Sequence, residues 1–162
     1  MKKLMTLGLF VVSSALLIAA CGGGGKPAEN SGEKGGAGTD DTMRLPVPDD
    51  FKSKTPPDLT DADLIEKGKA LYLDPVKANC IMCHGEDGKG QTKMAEQYTD
   101  PAVADLTKAA MHDSVTDQYL FWRVKEPAKS KAYPNSAMLG FPAGSDEEIW
   151  SIVAYVRSLK GK

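Results

Sequence analysis

"NCIMCHGEDGKG", residues 79–90, places two cysteines three apart, a histidine directly after the second, and three glycines behind it. The whole chain of 162 residues holds only three cysteines and two histidines. Half or more of each type is therefore gathered in five positions, Cys80 to His84. The chemistry that needs an imidazole hard against a Cys-x-x-Cys pair decides how the rest of the chain is read.

Length and composition allow one domain and a tail. Hydrophobic residues make up 41% and charged residues 26%, as in a globular protein with a modest core. The formal charge of -2 has the wrong sign for a nucleic-acid-binding surface, and no nucleic-acid partner is expected. Lys2 and Lys3 precede an apolar run from Leu4 to Ala20, the pattern of an export signal. Ile18-Ala19-Ala20-Cys21 resembles a bacterial lipoprotein signal, with residues 1–20 removed and Cys21 carrying lipid. Two or more acyl chains anchor stably where one does not. Residues 21–58 read as a tether: "GGGGKPAENSGEKGGAGTDD" offers no large apolar side chain to bury, and Pro46, Pro48, Pro56 and Pro57 favour extended backbone. This predicts a membrane-held protein in the cell envelope, facing the periplasm or the outer surface.

Residues 59–162 carry helical periodicity. Thr60 and Asp63 predict a helix start, followed by an apolar face of Leu64, Ile65, Gly68, Leu71 and Tyr72. Ser145 and Glu148 form a capping box before the stripe Ile149, Ile152, Val153, Val156 and Leu159, with Gly161 at the exit. A third helix is expected from Ser114 to about Lys125, with Val115, Leu120, Trp122 and Val124 as its apolar residues. No long period-two run argues for a sheet. The fold class is all-α, with loops at Gly85, Gly88, Gly90, Pro127, Pro134 and Pro142.

With Cys21 taken by lipid, Cys80 and Cys83 are the only thiols left in the domain. A zinc site needs four ligands, and only His84 and His112 remain, the first awkwardly adjacent to a cysteine. A thioredoxin-type pair belongs after a strand in a βαβ unit, which the chain lacks. Covalent attachment of haem c uses both sulfurs as thioethers to the porphyrin and the adjacent imidazole as iron ligand. Only this reading requires the histidine to follow immediately.

The domain resembles the class I monohaem cytochromes c over about residues 60–161. The matching pieces are a first helix with Gly68 in mid-face, "CIMCHGEDGKG", "ADLT" at 104–107, "FWRV" at 121–124, a loop methionine, and "SDEEIWSIVAYVRSLK" as the closing helix. The resemblance implies a small helical domain wrapped around one covalently attached haem. It also implies that Gly68 meets the closing helix near Trp150 or Tyr155, and that the Pro101 carbonyl accepts the second nitrogen of His84. In the family a proline usually follows the methionine ligand directly, whereas here Leu139 follows Met138 and the proline comes at 142.

Among Met94, Met111, His112 and Met138, position favours Met138 as the sixth ligand. It lies in "YPNSAMLGFPAG", a Pro- and Gly-bounded loop just before the last helix. Met94 belongs with the proximal wrap, Met111 with the core and His112 with the surface. Trp122, Arg123 and Tyr133 are candidates to neutralise the haem propionates, with core packing the simpler role for Trp122.

Ligation on both faces leaves iron able only to change oxidation state, which describes a single-electron carrier between redox protein complexes, without a small-molecule substrate. The alternatives are a haem subunit of a larger respiratory or photosynthetic oxidoreductase, or a ligand-binding or peroxidase-like haem. "RVKEPAKSK", residues 123–131, sets Arg123, Lys125, Lys129 and Lys131 against Glu126 alone. This predicts either a docking rim for an acidic partner or a solvated loop.

Overall fold

Two helices approach only as closely as the side chains between them allow. A computed structural model describes residues 45–130 and 136–162, and at its centre is such an approach with no side chain between. Helix α2 (Ala62–Leu73) crosses the closing helix α7 (Asp146–Ser158) at Gly68. A β-carbon built at Gly68 would lie 1.8 Å from the Ser151 carbonyl oxygen. Gly68 thus meets the closing helix beside Trp150, as expected, but what it meets is the Ser151 backbone rather than an aromatic ring. Tyr155 instead meets Tyr72 one turn along, ring centroids 5.0 Å apart.

Both helices begin where capping chemistry allows. The α2 cap is Asp61, accepting the Leu64 N–H at 2.8 Å, rather than Thr60. The Thr60 hydroxyl is taken by the Asp58 carboxylate at 2.6 Å, so the cap passes to the next side chain, whose charge also suits a helix start. The capping box of α7 forms as expected, Glu148 N–H to Ser145 Oγ and Ser145 N–H to Glu148 Oε2. The Gly161 N–H, just past α7, donates to the Thr107 carbonyl.

Short helices fill the remaining turns: α1 (Asp49–Lys52), α3 (Ile81–His84), α4 (Ala109–Asp113), α5 (Asp117–Lys125) and α6 (Pro127–Ser130). Among the described residues the fold is all-α, and Thr99 with Ala102 makes a single isolated bridge. The third expected helix starts three residues late, at Asp117, and a separate short helix, α4, precedes it. Ser114 closes α4, its N–H on the Ala110 carbonyl and its hydroxyl on that of Met111, and Thr116 then caps α5. Phe121, absent from the apolar set expected for this helix, is fully buried against Trp150 at 4.6 Å. Tyr72, Ile149, Ile152 and Val153 complete the centre of the core.

Two expectations need correction. His112 is a core residue, 5% exposed, rather than a surface one. Its Nε2 donates to the Leu106 carbonyl at 2.8 Å, and Nδ1 faces the Arg157 guanidinium at 3.4 Å. Arg157 in turn bonds Asp117 and the carbonyls of His112 and Val115, tying α4 and α5 to the end of α7. The second correction concerns the tether. Part of it touches the domain: Phe51 packs against Phe121 and Trp122, and Lys54 pairs with Asp146. An aromatic residue between prolines finds more apolar surface on α5 than free chain would give it. No helix among the described residues is long and apolar enough to cross a membrane. Residues 1–44, with Cys21, and residues 131–135, with Lys131, Tyr133 and Pro134, lie outside the described residues.

Two measurements follow. Gly68→Ala is expected to cost about 3 kcal/mol or more, since the new methyl meets backbone and the helices must part, and a urea titration reads this directly. The second is pH dependence. Burial and the neighbouring Arg157 and Lys160 hold the His112 pKa below its ordinary 6.5, outweighing the Leu106 carbonyl and Asp113. A base with a depressed folded pKa leaves stability complete above 6.5 and erodes it as pH falls below that value toward the folded pKa. Wild type should therefore lose melting temperature on going from about pH 7 to pH 5 relative to His112→Gln. The difference between the two proteins isolates His112 from every other titrating group.

Candidate haem site

One turn of helix presents the motif. The N–H groups of Cys83 and His84 both return to the Cys80 carbonyl, at 3.3 and 3.0 Å. At 3.6 residues per turn, positions 80, 83 and 84 fall within about a third of the circumference, and 82 points away. Met82 is accordingly exposed, while Cys80, Cys83 and His84 are half-buried. Asn79 enters the turn with φ +48°, a left-handed conformation that asparagine tolerates better than most residues. Its N–H is held by the Asp74 carbonyl.

The thiols are not joined to each other. Burial pushes the Cys80 pKa up to about 12 and raises that of Cys83. A redox or nucleophilic Cys-x-x-Cys pair lowers a thiol pKa to expose thiolate. This environment does the opposite, and it suits sulfurs that end as uncharged thioethers.

His84 is oriented from behind. Its Nδ1 lies 3.1 Å from the Ala104 carbonyl oxygen, and since a carbonyl only accepts, Nδ1 carries the proton. Nε2 is then the lone-pair nitrogen, and it has no protein partner among the described residues. Burial first, and then the Arg123 charge, lowers the imidazole pKa, favouring the neutral ligand form. The acceptor is Ala104 rather than Pro101. Pro101 lies inside the tight Thr99–Ala102 bridge, whereas Ala104 is carried to the motif by Leu106 N–H on Gly88 O at 2.7 Å. The Asx-type turn at Asp105, whose carboxylate takes the Thr107 N–H and hydroxyl, was the available sequence signal for this segment.

The methionine loop is pinned to α5 and α6. Phe141 N–H donates to the Val124 carbonyl at 2.7 Å. Gly140 takes φ +65°, and a β-carbon there would come within 2.5 Å of the Val124 oxygen and 2.7 Å of Pro127 Cγ. Met138 is half-buried and packs against the core, while Leu139 beside it is 79% exposed. Met111 also packs on the core, and Met94 opens the 3-10 turn Ala95–Gln97.

The remaining candidates divide. Trp122 is a core residue whose indole N–H reaches Glu126 at 3.4 Å. Arg123 is half-buried and donates to the Pro127 carbonyl and Ser136 Oγ, and burial lowers its pKa. No carboxylate faces Arg123 among the described residues, so it could balance an acidic group of a bound molecule. Of the residues expected to form the docking rim, Lys125 bonds the Gly144 carbonyl, and Lys129 is exposed and pairs with Glu126 at 2.9 Å. Arg123 and Lys125 thus reach across to residues 136 and 144, while the Lys129 side chain stays exposed beside Glu126.

A scan against protein-family profiles matches residues 65–160 to Cytochrome c. The chain belongs to the cytochrome c family. A comparison with curated proteins found no match. As an electron-transfer haem protein of this family it carries covalently bound haem c, and the residues present fit that group: paired neutral thiols, a neutral imidazole with a lone-pair Nε2, a half-buried methionine and a cation that no carboxylate faces among the described residues. Acid-acetone should leave the haem on the wild-type polypeptide. Cys80→Ala with Cys83→Ala should release it, with loss of most of the helical circular dichroism, since a domain this small relies on the haem for much of its core.

Proposed function

We propose that this cytochrome c is a lipid-anchored, class I monohaem carrier of single electrons between redox protein complexes outside the cytoplasm. Cys80 and Cys83 would hold the haem through thioethers, and His84 and Met138 would ligate its iron. Residues 1–20 are removed, Cys21 carries the lipid, and the domain faces the periplasm or the outer surface of the cell.

The observation that carries the reading is His84: a neutral imidazole, fixed at Nδ1 by the Ala104 carbonyl, with Nε2 left for a metal. The haem iron supplies reversible one-electron oxidation when bound. The protein's part is to hold both ligands through that change. Ala104 fixes the ring plane of His84, and the bonds of the 136–144 loop to α5 restrain Met138. Restrained ligands reduce the rearrangement that accompanies each electron. Arg123 offsets propionate charge in a half-buried setting, which favours the more positive oxidised iron less than a solvated site would. The contacts of Phe51 and Lys54 shorten the chain left between Cys21 and the domain.

Two variants test the reading. Met138→Ala should remove the sulfur-to-iron charge-transfer absorption, lower the potential and let carbon monoxide bind. Unchanged spectra would move the ligand elsewhere. Cys21→Ser should appear in the soluble envelope fraction with an intact haem spectrum, and retention through high-salt washes would count against the lipid anchor.

A further inference from the structure

The docked segment before α2 and the loop that carries Met138 meet the same short helix. On one side of α5, Phe121 and Trp122 receive Phe51, with ring centroids 6.1 and 6.0 Å away, and Gln118 donates to the Lys54 carbonyl at 3.2 Å. The next three residues hold the loop. Arg123 bonds Ser136, the Val124 carbonyl takes Phe141 N–H, and Lys125 bonds the Gly144 carbonyl. These bonds bracket Met138 from both sides. Lys54 closes the circuit, pairing with Asp146 where the loop ends in α7 while its ammonium lies 5.1 Å from the Phe121 ring centre.

Helix α5 has nine residues, two and a half turns, and so moves as one piece. A displacement of its Phe121–Trp122 face must carry residues 123–125, and with them the loop. Helix α7 supports α5 through Trp150 against Phe121, and Phe51 supplies support from the other partner of that ring.

We propose that residues 48–54 clamp the Met138 loop through α5, with Phe51 as a positioning residue for the distal ligand. The functional consequence rests on Met138 being that ligand, while the mechanical coupling does not. Removing the Phe51 ring leaves Phe121 held by Trp150 and Trp122 by Tyr119 alone among the described ring contacts, loosens α5, and lets the loop open while the α2–α7 crossing stays formed.

The test uses the full-length, haem-loaded protein and compares wild type, Phe51→Ala and Phe51→Leu. Phe51→Ala should speed hydrogen exchange at the Phe141 amide about tenfold or more, with the Ile152 and Val153 amides of α7 unchanged. The sulfur-to-iron absorption should then vanish on warming before the helices melt, and Phe51→Leu should restore most of both properties. Unchanged exchange at Phe141, or an equal rise at Ile152, would overturn the clamp and leave Phe51 a contributor to overall stability. If Met138→Ala keeps the sulfur-to-iron absorption, the ligand assignment fails, and exchange at Phe141 still decides the clamp. Should Phe51→Ala not fold, Gln118→Ala, which removes only the bond to Lys54, is read by the same exchange at Phe141.

Discussion

The contact between Gly68 and the Ser151 carbonyl is the constraint on which the other packing depends. It allows α2 and α7 to cross with backbone against backbone, and the crossing angle then sets where Leu71, Tyr72, Ile152, Val153 and Val156 interdigitate. Tyr72 links this crossing to the haem motif, since its hydroxyl donates to the Gly85 carbonyl at 2.7 Å, one residue beyond His84. Steric closeness at one glycine thus fixes the height at which the one-turn helix α3 presents Cys80, Cys83 and His84.

Residues 104–107 do for the backbone what the crossing does for the side chains. Ala104 receives His84, Leu106 N–H goes to Gly88, the Leu106 carbonyl receives His112, and the Thr107 carbonyl receives Gly161. Four residues without regular secondary structure therefore join the proximal histidine, the loop behind it, the buried His112 and the exit of α7. A buried segment of this kind must place its polar groups somewhere, and here each placement ties down a different part of the fold. The Arg157 network performs a parallel task, with one guanidinium satisfying two carbonyls and a carboxylate.

Charge is used locally in the same way. Of the cluster in residues 123–130, Arg123 holds Pro127 and Ser136, Lys125 holds Gly144, and Lys129 neutralises Glu126. Arg123 and Lys125, which look like part of a surface field in sequence, act as struts for the methionine loop through Ser136 and Gly144, while Lys129 stays exposed.

The sequence by itself determined the haem motif, the helical class, the capped start of α7 and the apolar stripes. Each of these depends on residue type and spacing within one stretch, where covalent geometry and helical period leave little choice. The tertiary structure alone decided that Ala104 rather than Pro101 backs His84, that His112 is buried, that Asp61 caps α2 after Asp58 captures Thr60, and that Phe51 docks on α5. A backbone carbonyl is the same in every residue, so the one that meets a given imidazole is set by how distant segments fold together. The same holds for Phe51: a lone aromatic residue among prolines signals nothing within its own stretch, and its place is chosen by the apolar surface of Phe121 and Trp122, seventy residues away.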